Sequence, residues 1–355
     1  MELRSIKQLK KKDLAGKRVF VRVDWNVPIK NGKIMDTYRI DQSFPTLLYL
    51  VAGGATLVLA THLGDEKASI EPIVEYVSEK LPYGNLIFLP NLRSNPGEEK
   101  NDKTFAKQLA KEADIYVNEA FAVCHRKHAS VVSLPKLLPA YAGLLVEKEV
   151  KELSKAFKPQ HPFVFVLGGV KFSTKLPLIK RFAKLADTVF VGGALANALF
   201  LKEGYEVGKS VVDREAKGLA EILKYKNVVL PIDVVTSGPK GDAIKMPEAT
   251  SKQEKIVDIG PQSVAFIADK VNKAKLVVWN GPQGNFEAGY GQATTLIAKA
   301  IAKSKAYSII GGGDTVTAIE GLNINDQIDF ISTGGGAMLE FLAKGTLSGL
   351  EVLKK

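Results

Sequence analysis

The stretch SIIGGGD (308–314), with a helical pattern over 315–321, contains the repeating unit that decides the fold. A short apolar run, expected to be a buried strand, ends in glycine, and a helical pattern follows it. Four more apolar runs in the second half end in the same way: FVFVLGG (163–169), VFVGG (189–193), VVWNGPQG (277–284) and FISTGGGA (330–337). Alternation of this kind predicts an α/β fold with two doubly wound parallel sheets.

The first half repeats this alternation, but its apolar runs end in polar and charged residues. These runs are VFVRVDWNVP (19–28), LVLATHLG (57–64), IFLPNLR (87–93) and YVNEAFAVCHR (116–126). Ligands of parallel sheets bind at the carboxyl ends of the strands, so one half offers cationic side chains and the other offers bare backbone. The combination indicates an anionic substrate facing a nucleotide.

Length and composition predict a two-domain cytoplasmic protein. The 355 residues exceed what one hydrophobic core usually serves. No apolar stretch is long enough to span a membrane, and the charged N-terminus lacks the apolar centre of a signal peptide. The single cysteine, Cys124, excludes an intrachain disulfide and fits a reducing compartment.

The net charge of +11 indicates small polyanions as ligands. Lysines carry most of it, and the arginines are concentrated early, with only Arg181 and Arg214 in the second half. The planar fork of arginine binds phosphate or carboxylate through two hydrogen bonds. No nucleic-acid recognition motif is present, so nucleic acid is not an expected partner.

The predicted elements follow from hydrophobic periodicity and turn residues. Strands are expected over 18–27, 56–61, 85–90, 114–118, 163–167, 188–191, 227–230, 275–279, 306–310 and 328–331. Helices are expected over 37–52, 70–80, 102–112, 174–186, 194–203, 263–273, 292–303, 315–321 and 337–344. The segment 141–157 is expected to be a helix joining two domains, and the polar stretch 236–256 receives no element.

Two glycine triplets, 311–313 and 334–336, each join a predicted strand to a helix. Glycine lets the backbone approach a phosphate closely, and the helix that follows offers free N–H groups. A tight turn would also need glycine, but two triplets beside Asp314, which could hold Mg²⁺, favour phosphate binding. Lys171 and Lys175 lie four residues apart at a helix start, where both could reach one anion.

Polar residues at the ends of the early strands predict an anion-binding cradle. Arg22, Asp24 and Asn26 alternate along the first strand and should share a face. A surface salt bridge would explain any one such residue, but cations recur at several strand ends. They are Arg39, His62, Arg93, His125 and Arg126.

One apparent nucleotide-binding motif has the wrong spacing, and another common one is absent. GYEVGKS (204–210) resembles a phosphate-binding P-loop but has one residue too few between its glycines and follows a helix. The dinucleotide fingerprint G-x-G-x-x-G is absent, which argues against a dehydrogenase.

The chain resembles phosphoglycerate kinase at RVDWNVP, THLG, NLR, EAFAVCHRKHAS, LLVEKEVKEL, LGGVKFSTK, VVWNGPQGNFE, GGGDT and STGGGAMLE, in that family's order from about residue 18 to 341. The resemblance implies reversible phosphoryl transfer between 1,3-bisphosphoglycerate and Mg-ADP, giving 3-phosphoglycerate and ATP in glycolysis. It implies a phosphoglycerate-binding domain over 1–145 with about 341–355, an interdomain helix over 146–158 and a nucleotide-binding domain over 159–340. Direct in-line transfer after hinge closure, by a monomer, is expected.

The resemblance also implies a role for each site residue. Asp24 and Asn26 would hold the phosphoglycerate, Arg39 would reach the transferring group, and Arg22, His62, Arg93, His125 and Arg126 would form the basic patch. Lys171 and Lys175 would contact the nucleotide phosphates or the moving phosphoryl group, and Gly335 and Gly336 would aim a helix at it. The other implied nucleotide contacts are Gly192, Gly193, Gly260, Asn280, Pro282, Glu287, Gly311, Gly312, Gly313, Asp314 and Thr315, with Asp314 organising Mg²⁺.

Departures from the family pattern keep two alternatives open. Asp65 stands where the family has a phosphate-binding arginine, and Thr174 stands where it has an aspartate. We expect an active enzyme with a raised KM for 3-phosphoglycerate, with Lys67 as a candidate substitute cation. The first alternative is another small-molecule kinase, or a kinase for a related acid, on the same scaffold. The second, which Asp65 and Thr174 motivate, is a non-catalytic nucleotide or metabolite sensor.

Overall fold

The computed structural model describes all 355 residues, and its contacts divide the chain into two compact units. The first unit consists of Met1–Lys151 with Lys344–Lys355, and the second consists of Glu152–Ala343. The earlier boundary falls within the helix Leu144–Ser154. No helix has the length and apolar character that a membrane span requires.

The first unit is built on a five-stranded parallel sheet. The strands of this unit are β1 (Arg18–Val23), β2 (Ile29–Lys30), β3 (Lys33–Ile34), β4 (Thr56–Ala60), β5 (Asn85–Phe88), β6 (Ile115–Glu119) and β7 (Ala140–Ala142). The order in the sheet is β5-β4-β1-β6-β7, and β2 and β3 form a separate antiparallel pair. The chain reverses its direction of winding between β1 and β6, which is where ligands of such sheets bind.

Helices and loops of the first unit depart from the sequence prediction at several places. Its helices are α1 (Lys11–Leu14), α2 (Tyr38–Asp41), α3 (Phe44–Ala52), α4 (Glu71–Lys80), α5 (Lys103–Ala110) and α6 (Leu144–Ser154). The single helix expected over 37–52 is divided into α2 and α3, because Pro45 has no N–H to continue the helical hydrogen bonds. The helix expected from residue 141 begins at Leu144, since the preceding residues pair with β6 as a strand.

The first strand is shorter than the predicted 18–27. It ends at Val23, and the N–H of Trp25 donates to the hydroxyl of Thr61 at 3.0 Å instead of to a neighbouring strand. Asp24 and Asn26 therefore lie in the loop after β1, and the prediction that Arg22, Asp24 and Asn26 share one strand face was wrong.

The second unit contains a six-stranded parallel sheet, which confirms the predicted doubly wound class. The strands of this unit are β8 (Phe163–Leu167), β9 (Thr188–Val191), β10 (Val228–Val229), β11 (Val234–Gly238), β12 (Gly241–Lys245), β13 (Lys255–Ile259), β14 (Leu276–Asn280), β15 (Tyr307–Gly311) and β16 (Phe330–Ser332). The parallel order is β10-β9-β8-β14-β15-β16, with the reversal between β8 and β14.

A three-stranded antiparallel sheet, β12-β11-β13, was missed in the polar stretch. Its first two strands form a hairpin that Gly238 and Gly241 close. The helices of this unit are α7 (Phe172–Phe182), α8 (Gly193–Glu203), α9 (Leu219–Ile222), α10 (Pro261–Lys273), α11 (Gln292–Lys303), α12 (Gly313–Ile319) and α13 (Gly336–Lys344).

The C-terminal segment, with helix α14 (Ser348–Glu351), belongs to the first unit. Leu3 and Lys354 form an antiparallel bridge, and the N–H of Arg4 donates to the carbonyl of Leu353 at 2.9 Å. Leu350 and Leu353 are fully buried. The last dozen residues therefore complete the core of the first unit.

Candidate active site

Loops at the carboxyl ends of β1, β4 and β6, and beyond β5, gather the polar residues of the first unit. Asp24 and Asn26 follow β1, His62 follows β4, Arg93 lies beyond β5, and His125 and Arg126 lie beyond β6. Since these strands are parallel neighbours, their carboxyl ends meet at one edge of the sheet.

Asp24 has one carboxylate oxygen paired and one buried without a partner. Its Oδ2 accepts a hydrogen bond from Arg39 Nη1 at 3.1 Å, whereas the buried Oδ1 has no hydrogen-bond partner. The Arg39 side chain, on α2, is 33% exposed, so donors of its guanidinium remain accessible. In this pair the carboxylate can accept a hydrogen bond from a hydroxyl group, and the guanidinium can donate hydrogen bonds to an anion.

Asn26 and Arg93 connect the loop after β4 to its neighbours. The amide oxygen of Asn26 accepts from the Gly64 N–H at 2.9 Å, and Arg93 Nη1 lies 3.4 Å from the Gly64 carbonyl. Arg93 Nε also lies 3.1 Å from a Glu99 carboxylate oxygen. Burial, followed by the charge of Arg93, lowers the pKa of Arg126, as expected where cations crowd a site for an anion.

Arg22 differs from the other predicted substrate contacts because it is wholly buried. Its Nε donates to Ser130 Oγ at 2.8 Å, its Nη1 donates to the Val23 carbonyl, and its Nη2 lies 3.2 Å from His62 Nδ1. All three groups are internal to the protein. Arg22 therefore lies behind the site, in contact with a site residue.

His62 is 2% exposed and neutral. Burial lowers its pKa to about 2, and the charges of Arg22, Arg93, Arg126 and His128 act in the same direction. Its Nδ1 lies 3.7 Å from Asp24 Oδ1, but a neutral imidazole forms no ion pair with that carboxylate.

Asp65 is exposed in the loop after His62. Its carboxylate accepts the backbone N–H of Lys67 at 2.9 Å, which holds the negative charge beside Gly64. The exposed side chain of Lys67 offers a cation in the same loop.

The second unit has a cavity of about 330 Å³ with the predicted residues Gly193, Pro282, Glu287 and Asp314 in its wall. The antiparallel sheet supplies another part of this wall through β11 and β13. The sequence prediction did not include several lining residues: Lys255 and Asp258 on this sheet, and Asn197, Lys209 and Gln283 outside it. The available signal for the hairpin of this sheet was the turn SGPKG (237–241) between two short segments.

Lys175 and Asp314 place charges of opposite sign near the cavity. Lys175 is 8% exposed, and its Nζ donates to the side-chain oxygen of Asn280. Burial lowers the pKa of Lys175 to about 8, against the opposing effect of Asp314. Asn280 also donates to the Gly311 carbonyl at 2.7 Å, which joins the ends of β14 and β15.

Glycine is required where the loops after β8 and β14 cross. A Cβ on Gly168 would lie 2.6 Å from the carbonyl oxygen of Gly281. Gly312 has a φ of 103°, in the region that favours glycine. The N–H of Gly281 donates to Thr315 Oγ1 at 2.7 Å, so this buried hydroxyl has a partner within the protein.

The remaining predicted glycines lie at helix starts. Gly192 precedes α8, where a Cβ would meet the Gln283 side chain, and Gly313 opens α12. Gly335 and Gly336 lie at the amino end of α13, next to solvent. Gly260 precedes α10 beside Asp233 and does not line the cavity.

Lys171 is exposed before α7, and the hydroxyl of Thr174 donates to the carbonyl of Lys171 at 2.8 Å.

One parallel-sheet unit has a crowded cationic site, and the other has a glycine-bordered cavity beside a lysine. This combination defines an α/β phosphotransferase. The chain belongs to the phosphoglycerate kinase family, whose profile matches residues 9–83 and 67–345.

Full-length relatives agree with this assignment. The chain is 41% identical over 371 residues to the phosphoglycerate kinase of Baumannia cicadellinicola, covering 96% of each protein. It is 40% identical to a phosphoglycerate kinase of Thermus thermophilus, covering 96% of this chain and 98% of the relative.

Solved structures give the same result. The phosphoglycerate kinase of Coxiella burnetii superposes with a TM-score of 0.88 at 36% identity, covering 99% of this chain and 98% of that one. The enzyme of Pyrococcus horikoshii superposes with a TM-score of 0.86 at 32% identity and the same coverage.

Proposed function

We propose that the chain transfers a phosphoryl group reversibly between 1,3-bisphosphoglycerate and Mg-ADP, giving 3-phosphoglycerate and ATP, as a glycolytic monomer in the cytoplasm. The observation that carries this proposal is the division of chemistry between the units. Cations and Asp24 surround one sheet edge, and glycines with Asp314 border the cavity of the other unit, with Lys175 close to it.

The first unit would bind the phosphoglycerate. The unpaired Oδ1 of Asp24 would accept a hydrogen bond from a substrate hydroxyl, and Asn26 would support the loop around it. Arg93, His125 and Arg126 would surround the phosphate that is not transferred. The accessible donors of Arg39 would meet the transferring phosphoryl group.

The second unit would bind the nucleotide. Glu287 and Pro282 would border the nucleoside, while Lys171, Lys175 and the amino ends of α12 and α13 would neutralise phosphates. Asp314, an exposed carboxylate in the cavity wall, would hold Mg²⁺. A lone carboxylate fits Mg²⁺, which keeps several waters and binds substrate phosphates.

Catalysis would consist of positioning and charge stabilisation. In-line transfer requires reacting atoms about 3–3.5 Å apart, so we propose that the units close around both ligands before transfer. Arg39 and Lys175 would meet the charge on the transferring group, and closure would exclude water that could hydrolyse the acyl phosphate.

A coupled assay with ATP, Mg²⁺ and 3-phosphoglycerate tests the proposed function. We expect ATP-dependent formation of 1,3-bisphosphoglycerate by the wild-type chain. A panel of other phosphorylated acids serves as the control, and faster turnover of one of them would reassign the substrate. Binding of both ligands without ATP consumption would instead support the sensor alternative.

We expect kcat/KM for the nucleotide to fall as the pH rises through about 8. The pKa of Lys175 is about 8, so the ammonium form dominates below this pH and is lost above it. Bound phosphates stabilise the ammonium form, so the decline in kcat should occur at higher pH. The pH–rate profile of wild type is compared with that of Lys175→Met, and an identical decline in both would contradict this assignment.

We expect Asp65→Arg to lower the KM for 3-phosphoglycerate by about 3–10-fold, the range of one partly exposed charge-assisted contact. The exposed carboxylate lies beside Gly64, close to where Arg93 contacts the loop, and it repels an anionic substrate. Asp65→Asn, which removes only the charge, should give a smaller decrease. An unchanged or higher KM in Asp65→Arg would show that the loop does not reach the substrate.

A further inference from the structure

Arg22 and His62 form a buried pair that the proposed chemistry does not yet use. Arg22 is fully buried in β1, and His62 follows β4, the strand beside it in the sheet. Their contact joins Arg22 Nη2 to His62 Nδ1 at 3.2 Å. The pair lies at the sheet edge that carries the candidate acid site.

The chemistry of arginine decides how the imidazole is protonated. A guanidinium group has N–H donors only and keeps its proton at any physiological pH. His62 Nδ1 must therefore be the acceptor of this hydrogen bond, and the single proton of the neutral ring lies on Nε2. A proton on Nδ1 would place two donors against each other at 3.2 Å.

The carboxylate of Asp24 is the other group close to His62 Nδ1, but the distance between them is too long for a hydrogen bond. Its Oδ1 lies 3.7 Å from Nδ1, beyond hydrogen-bond distance, while Arg22 Nη2 is closer. The other charged groups that act on the ring are Arg93, Arg126 and His128, from the loops after β5 and β6. Burial is the largest cause of the lowered pKa of His62, and the positive charges of Arg22, Arg93 and Arg126 act in the same direction.

A buried network fixes the Arg22 side chain. Ser130 Oγ accepts from Arg22 Nε at 2.8 Å and donates to Glu98 Oε1 at 2.6 Å. Glu98 is fully buried and also accepts the Ser130 N–H at 2.9 Å. The carboxylate offsets the buried guanidinium charge through Ser130, so Arg22 is held toward His62.

We infer that Arg22 is a positioning residue that holds His62 as the neutral Nε2–H tautomer, so that His62 binds the acid substrate as a hydrogen-bond donor and not as a cation. The second half of this inference, the substrate contact, rests on the proposed function. The first half concerns the free protein alone. Binding through a neutral donor makes the contribution of His62 to affinity independent of pH between about 5 and 8, where an ordinary histidine titrates.

Long-range ¹H–¹⁵N NMR of the full chain labelled at histidine tests the tautomer without ligand or turnover. The four histidines give few signals, and His62→Gln assigns the one of interest. We expect an unprotonated Nδ1 and a protonated Nε2 that do not change from about pH 5 to 8. A protonated Nδ1, or a titration within that range, would overturn the inference even if the chain is an active kinase.

Variants test the role of each partner. Arg22→Met removes the donor to Nδ1 and should bring a His62 titration toward its ordinary pKa of about 6.5. If this variant does not fold, the wild-type spectrum alone tests the tautomer.

In the kinase assay, His62→Gln keeps an N–H donor and should retain the KM for 3-phosphoglycerate within about 3-fold, whereas His62→Leu should raise this KM about 10-fold or more. Equal loss in both variants would contradict donation by His62.

Discussion

Replacing Arg39 with alanine is expected to lower kcat by about 10²–10³-fold, the usual loss when one donor to developing charge is removed. Arg39 Nη1 contacts Asp24 at 3.1 Å, and the partly exposed guanidinium keeps donors available for the transferring group. The affinity for Mg-ATP should not change, because Arg39 belongs to the other unit. The coupled assay measures kcat, and titration calorimetry measures nucleotide binding.

Arg18→Ala is the matched control. Arg18 lies in the same unit, at the amino end of β1, where its side chain is 42% exposed and pairs with Glu112 at 2.9 Å. Surface ion pairs contribute little, so kcat should stay at the wild-type value. A near-normal kcat in Arg39→Ala, or an equal loss in both variants, would remove Arg39 from its proposed role.

Replacing Lys175 with methionine is expected to lower kcat by a similar factor of about 10²–10³, because a buried ammonium near the phosphates is lost. Methionine retains most of the apolar stem that the lysine buries. Burial lowers the pKa of Lys175 from its ordinary value, so the folded state disfavours the charged form. The melting temperature of the variant at neutral pH should therefore equal or exceed that of wild type while activity falls.

Lys180→Met controls for the loss of a lysine from the same helix. Lys180 lies later in α7, is 37% exposed and pairs with Glu221 at 2.6 Å. We expect it to leave kcat unchanged. A lowered melting temperature that accounts for the lost activity in Lys175→Met would point to a structural role for Lys175.

The parallel sheets were predictable because both of their faces are covered. Strands such as β8 and β14 are buried at every position, and they appear in the sequence as continuous apolar runs. The antiparallel strand β12 has no fully buried residue, so it lacks this signal. Fully buried parallel strands can therefore be recognised one at a time, whereas a partly exposed strand such as β12 gives a weaker local signal.

Residue types at the candidate sites were more predictable than residue roles. Cations after the early strands pointed to an anion site, but Arg22 faces inward, and its partner Ser130 lies 108 positions away. Thr315 likewise donates to and accepts from backbone groups of its own unit. Contacts of this range follow from the tertiary fold, so local spacing cannot separate a side chain that lines a site from one that supports it.

The return of the C-terminal segment to the first unit has a consequence for the order of folding during synthesis. Domains commonly fold as the ribosome releases them, with the N-terminal one first. Here Leu350 and Leu353 belong to the core of the first unit, and Gly349 N–H donates to the carbonyl of Cys124 at 2.8 Å. The second unit is contiguous, so its whole sequence is available first, and the core of the first unit is completed only when residues 344–355 have been synthesised.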